Sequence, residues 1–123
     1  LYPLQSYLGF VFKELKEDFC RLELPLESFV MNRFGIPHCG VHAVLLDNGM
    51  GYVGCFTGDT EAPCFTVTQS LKVSFLAHSK GRILFAGENR ISGGHRIIFA
   101  EGQVKNDTGQ LVAQGTATFR YLS

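Results

Sequence analysis

From residue 65 to the C-terminus apolar and polar side chains alternate, and turn-forming residues interrupt the alternation at regular intervals. Phe65-Thr-Val-Thr-Gln-Ser-Leu-Lys-Val-Ser-Phe75 shows it most clearly. Period two is what a strand with one buried face requires, because successive side chains point to opposite faces. Strands are predicted over 65–75, 82–91, 95–104 and 111–122. The breaks at Ser79-Lys80-Gly81, Ser92-Gly93-Gly94-His95 and Asn106-Asp107-Thr108-Gly109 hold residues that tolerate positive φ or bond back to their own backbone. Four long strands joined by short turns predict an antiparallel meander. Upstream, 11–16 and 19–24 read as a hairpin turning at Glu17-Asp18, and 5–10 as a short helical turn. Residues 26–39 read as a loop with one helical turn.

Residues 40–56 cannot be a strand. They are apolar on nearly every face, which suits a helix buried on all sides. Yet Gly49, Gly51 and Gly54 lie inside it, each costing up to about 1 kcal/mol against Ala. Helical periodicity puts Gly40, Ala43, Asp47, Gly51 and Gly54 on one stripe. The segment's one charge therefore sits on its smallest-side-chain face. Either a sheet or a second helix approaches closely there, or a slot beside the carboxylate admits a thin ligand. A buried carboxylate needs partners or a job. The expected architecture is α+β: an antiparallel sheet of five to six strands curved around one long central helix at about 40–56. Its open apolar edges predict edge-to-edge pairing with a second copy.

Composition narrows the classes. A chain of 123 residues, 46% hydrophobic, fits one domain spanning 1–123. Eleven basic against eleven acidic residues exclude a basic nucleic-acid module and a polybasic membrane binder. No run approaches the roughly 18 apolar residues of a transmembrane helix, and no charged-then-apolar leader opens the chain. Neither nucleic acid nor membrane is an expected partner. Cys20, Cys39, Cys55 and Cys64 form no CxxC pair. Free thiols in a reducing cytoplasm are expected, rather than a disulfide scaffold or a zinc knuckle.

Three motif matches fail on context. Gly49-Met-Gly51-Tyr-Val-Gly54 spells G-x-G-x-x-G, but it lies within the helix rather than after a strand. His38 and His42 have metal-ligand spacing without the Glu of H-E-x-x-H, so a packed, hydrogen-bonded His42 is the simpler reading and no metal is expected. Cys39 near a helix start could be a nucleophile, but adjacent histidines rarely face it usefully. The better constellation joins Asn32, His38, Cys39, Gly40 and Asp47. Amides at Cys39 and Gly40 open the helix unpaired and carry its positive end, where an oxyanion is stabilised. Asp47 lies two turns further on, so the substrate must lie across the helix or a partner subunit must fill the gap.

Asn32-Arg-Phe-Gly-Ile-Pro-His38-Cys-Gly40-Val-His-Ala-Val-Leu-Leu-Asp47 resembles the N-x-x-G-x-x-H-G-G-x-x-x-x-L-x-D signature of hotdog-fold thioesterases, nearest the phenylacetate-pathway acyl-CoA branch. Thr66-Val-Thr68-Gln-Ser70-Leu-Lys-Val-Ser-Phe75-Leu is similar to that family's third strand, and Gly109-Gln-Leu-Val-Ala113-Gln-Gly115 to its final hairpin. The resemblance implies a hotdog fold and hydrolysis of an acyl-CoA to free acid and CoA. No cofactor is implied beyond the CoA of the substrate. It implies that Asp47 acts as general base or nucleophile and that the Cys39 amide is the oxyanion donor. Asn32 would position the carbonyl or water, His38 would fix the loop, and Thr68 or Ser70 would reach the site from a neighbouring subunit. It also implies a homodimer, with a tetramer as dimer of dimers, in the cytoplasm. Two departures stand out. Cys39 replaces the usual Gly, which would distort the amide if positive φ were required. Phe75-Leu76-Ala77-His78 lacks the family's Arg-Pro, leaving Lys80, Arg82, Arg90 and Arg96 as candidates for the CoA phosphates. Gly51 and Gly54 would leave room for a bulky acyl group. The alternatives are a non-catalytic acyl-CoA-binding or regulatory module and a hotdog enoyl-CoA hydratase or dehydratase, the last needing His38 in the site.

Overall fold

The computed structural model describes residues 3–55, 65–78 and 81–122. A short helix α1 (Pro3–Leu8) leads into a hairpin of β1 (Val11–Lys16) and β2 (Phe19–Pro25), which turns through Asp18 at φ 62°. A 3-10 turn (Ser28–Val30) precedes the long helix α2 (Cys39–Cys55). Four long strands follow: β3 (Phe65–Phe75), β4 (Ile83–Gly93), β5 (Ile97–Asn106) and β6 (Leu111–Leu122). The expected helix end at Phe56 lies outside the described residues.

All six strands form one antiparallel sheet in the order β1-β2-β4-β5-β6-β3. This corrects the predicted four-strand meander. Of those four strands only β4, β5 and β6 run as neighbours in chain order; β3 pairs with β6, and β4 pairs with β2. The burial of the strands explains the order. Strand β4 buries Leu84, Ala86 and Glu88 completely or nearly so and belongs inside the sheet, whereas no residue of β3 is fully buried, as suits an edge. Alternation identifies a strand but not its neighbours.

Helix α2 lies against the sheet face formed by Leu22, Leu24, Leu84, Ala100, Val104, Ala113 and Phe119. It contributes Leu45, Leu46, Met50 and Val53, each fully or almost fully buried and each worth about 1.5–3 kcal/mol by removal from water. Two of its glycines explain how it seats. A Cβ at Gly49 would collide with the carboxyl of Glu88, and one at Gly54 would lie 2.6 Å from Ile98 Cδ1. The helix is not sheathed all round, however: its first turn, Cys39 and Gly40, is exposed.

Glu88 is the anomaly of the core. Its side chain is fully buried, in register with Cys20 on β2 and Gly102 on β5, and neither carboxyl oxygen has a hydrogen-bond partner among the described residues. Burial holds its carboxyl well above the usual carboxylate range, so the neutral acid is favoured. Cys20 is pushed up to about 12 by burial and then by Glu88 beside it.

A carboxyl with a raised folded-state value binds its proton more tightly folded than unfolded. Its contribution to stability is therefore complete below the ordinary value of 4.5 and is lost as pH rises through the folded value. Urea denaturation across this range is expected to show stability falling with rising pH. Glu88→Gln, which cannot ionise, is expected to flatten that slope.

Candidate active site

The segment before α2 is organised by two side chains. Asn32 Oδ1 accepts the backbone N–H groups of Phe34 at 2.8 Å and Ile36 at 3.4 Å, while the Asn32 N–H donates to Ile36 O at 2.7 Å. This closes a tight turn through Gly35, whose φ of 74° suits glycine. The Asn32 Nδ2 hydrogens meet no acceptor among the described residues. His38 then caps the helix: its Nδ1 accepts the Gly40 N–H at 2.9 Å, its carbonyl accepts the Val41 N–H, and its own N–H donates to Val30 O.

This cap changes the expected oxyanion hole. The Gly40 amide is already bonded to His38 and is not available to a substrate. Among the described residues, the Cys39 amide is left as the exposed N–H of the first turn without an acceptor. Cys39 does not have positive φ, since Asp18 is the one non-glycine residue described with it. A side chain at position 39 therefore introduces no backbone strain. His42 is turned elsewhere. It is buried and packs edge-on to Phe75 with ring centroids 6.0 Å apart. Burial pulls it below the usual histidine range, with the backbone of His38 and Cys39 acting in the opposite direction. His38 and His42 thus serve separate structural ends.

Asp47 is half-buried and takes part in no salt bridge among the described residues. Thr68 Oγ1 donates to Asp47 Oδ1 at 2.8 Å. Within one chain the Thr68 hydroxyl therefore already reaches Asp47. Ser70 does not share that position. A bulge between Thr68 and Ser70 adds one residue to β3, pairing Thr68 with inward-facing Phe119 but Ser70 with Thr118 on the opposite face. Ser70 therefore points away from Asp47.

A cleft of about 350 Å³ opens beside the carboxylate, lined by Asp47, Asn48, Gly51, Tyr52, Cys55, Phe65, Thr66, Thr68 and Phe119. Gly51 lines it, and a Cβ there would make ordinary contact with Phe119 at 3.6 Å. Gly54 does not, because its space is filled by Ile98, and its carbonyl accepts the Tyr121 hydroxyl at 2.7 Å. The small-residue stripe therefore has both functions, divided residue by residue. Asn48 and Tyr52, adjacent to that stripe, were passed over in the sequence; their i+4 spacing, offset by one from Asp47 and Gly51, was the available signal. Phe119 gave no such signal.

The three arginines do not line this cleft. Arg82 lies at the start of β4, where its N–H donates to Asp107. Arg90 and Arg96 lie toward the other end of the sheet, Arg90 being 3.9 Å from Asp18 and the Arg96 carbonyl accepting the Tyr121 N–H. One chain cannot bring the three to one set of phosphates. Lys80 is outside the described residues.

Cys20 and Cys39 carry free thiols, but Cys55 is disulfide-bonded. The expectation of free thiols throughout fails at Cys55, and the cysteine argument for a reducing compartment weakens with it. Among the described residues no helix is long and apolar enough to cross a membrane.

The His38 cap has a measurable cost of removal. Replacing a side-chain cap by Ala costs about 0.5–2 kcal/mol. His38→Ala is expected to lower stability by that amount in chemical denaturation, with His38→Asn recovering most of it.

No protein-family profile and no curated protein matches the chain. Solved structures do match. A conserved protein of Pseudomonas aeruginosa superposes with TM-score 0.90 at 22% identity, covering 99% of this chain and 95% of its own. A thioesterase family protein from Silicibacter pomeroyi gives TM-score 0.88 at 21% identity, covering 98% and 90%. A phenylacetic acid degradation-related protein from Ralstonia eutropha gives 0.83 at 23%, covering 95% and 88%. At these identities the likeness establishes architecture: the chain has the hotdog fold of the thioesterase-superfamily structures it resembles, a curved antiparallel sheet around one long helix.

Proposed function

We propose that this protein is an acyl-CoA thioesterase, and that its site is completed by a second copy of the chain. The observation that carries the reading is Asp47, an acidic side chain outside any described ion pair, bonded by Thr68 and facing a cleft. As general base Asp47 takes a proton from water attacking the thioester carbonyl; as nucleophile it attacks directly and water releases the acid. In either route the carbonyl becomes an oxyanion, which the Cys39 amide receives with the helix dipole behind it. The Asn32 Nδ2 group is a further donor for the carbonyl or the water. The thiolate of CoA leaves without strong acid assistance.

Cys39 and Asp47 are eight residues apart on one helix, about 12 Å along its axis. That is too far for both to serve one carbonyl. Two copies joined antiparallel through the exposed β3 edge bring their helices side by side in opposite directions, so that Asp47 of one faces Cys39 of the other. The length and exposure of β3 support this pairing. A further tetramer, as a dimer of such dimers, extends the same reading. The hydratase alternative loses ground because His38 Nδ1 is engaged by Gly40, and the non-catalytic alternative because Cys39 introduces no strain.

The test is release of free thiol from an acyl-CoA panel. Asp47→Asn is expected to lower kcat by about 10²-fold or more. Cys39→Pro, which deletes the amide hydrogen at a helix position that tolerates Pro, is expected to cost on the order of 10²–10³-fold. Co-expressing the two variant chains is expected to restore up to half of the activity per mixed dimer, since one of its two sites is intact. Full activity in Asp47→Asn contradicts the chemistry; absence of restoration contradicts the shared site.

A further inference from the structure

One wall of the cleft is polar, and a side chain from outside α2 is bonded to both of its polar groups. Gln5 of α1 is completely buried, and its Nε2 donates to Asn48 Oδ1 at 2.9 Å and to the Tyr52 hydroxyl at 3.1 Å. The Tyr52 hydroxyl lies 3.4 Å from Gln5 Oε1, and the Tyr52 ring meets Phe12 edge-on with centroids 4.9 Å apart. Asn48 Nδ2 in turn donates to Val44 O at 2.8 Å. Both ends of the Tyr52 side chain are thereby held, and a buried amide with its bonds made is costly to rearrange.

The cleft has a direction. Past Asp47 its helix residues are Asn48, Gly51, Tyr52 and Cys55, so it extends toward the C-terminal end of α2, away from the first-turn amide of the same chain. A thioester carbonyl held at Asp47 sends one of its two arms into this space. At about 350 Å³ the space lies near the small end of ligand clefts. It suits an acyl group rather than a nucleotide. Gly51 leaves one side open, while Tyr52 and Phe65 close in from others.

Resting on the thioesterase reading above, we propose that Tyr52 sets the upper size of the acyl group and that Gln5 is the positioning residue that keeps Tyr52 in place. The substrate class is accordingly acyl-CoA with a short acyl chain, and the preference is written partly in the N-terminal helix.

The experiment measures kcat/KM for short, medium and long straight-chain acyl-CoAs, together with calorimetric affinities for the matching non-hydrolysable thioethers. Tyr52→Ala is expected to raise the long-to-short ratio on the order of tenfold or more. Gln5→Met, similar in shape but without an amide, is expected to move the ratio the same way, and Gly51→Val to move it the opposite way. Val112→Ala, a core deletion in β6, serves as the control: it is expected to lower Tm and leave the ratio unchanged. An unaltered ratio in Tyr52→Ala overturns the proposal, as does an equal change in Val112→Ala. If the protein hydrolyses none of the panel, the thioesterase reading fails separately, and the thioether affinities decide this one. A Tyr52-dependent shift in their length preference supports it, whereas an unshifted preference or no binding overturns it.

Discussion

The rotation of α2 on the sheet is the constraint from which the rest follows. Gly49 is turned to the sheet because no side chain fits between the helix and the Glu88 carboxyl. Leu45, Leu46, Met50 and Val53 bury themselves on the same account. Two residues along a helix correspond to about 200° of rotation, so an inward Gly49 turns Asp47 out toward the rim. There it meets Thr68 of β3 and the mouth of the cleft. The position of the acid is thus a consequence of core packing, and does not depend on a counter-charge to hold it.

Two acidic side chains on opposite sides of that helix have opposite surroundings. Glu88 is sealed in the core with no hydrogen-bond partner among the described residues, and burial favours its neutral form. Asp47 is half-buried, bonded by a hydroxyl and open to a cleft. The first is expected to make stability depend on pH from inside the core. The second has the access and the hydrogen bonding that chemistry on a carbonyl needs. Their roles follow from burial and neighbours, since the residue types differ by only one methylene.

Much of this was legible in the residues. Period two identified the long strands, and an apolar stretch with glycines identified α2 to within a residue at its start. What failed was whatever depends on contacts distant in sequence. Strand order was misread because alternation carries no information on partners, so β3 was placed beside β4 instead of β6. Ser70 lies on the face opposite Thr68 because of one bulge, which a period-two count does not reveal. The cap on Gly40 was missed because His38 bonds two residues ahead, a local geometry that many residues share. The burial of Glu88 was inferable from Leu84, Ala86 and Glu88 falling on one face, but its lack of a hydrogen-bond partner among the described residues was not. Gln5 offered no signal at all, since its partners lie 43 and 47 residues away.

On the proposed mechanism one amide of the first helical turn is free to meet a substrate oxygen while its neighbour is occupied by the protein itself. Amide chemical shifts of the ¹⁵N-labelled protein, titrated with a ketone analogue of an acyl-CoA, test this directly. A large shift of the Cys39 amide is expected, accompanied by Thr68, with the His38-bonded Gly40 amide moving far less. Equal movement of Cys39 and Gly40, or saturation of the analogue with neither Cys39 nor Thr68 perturbed, would contradict it.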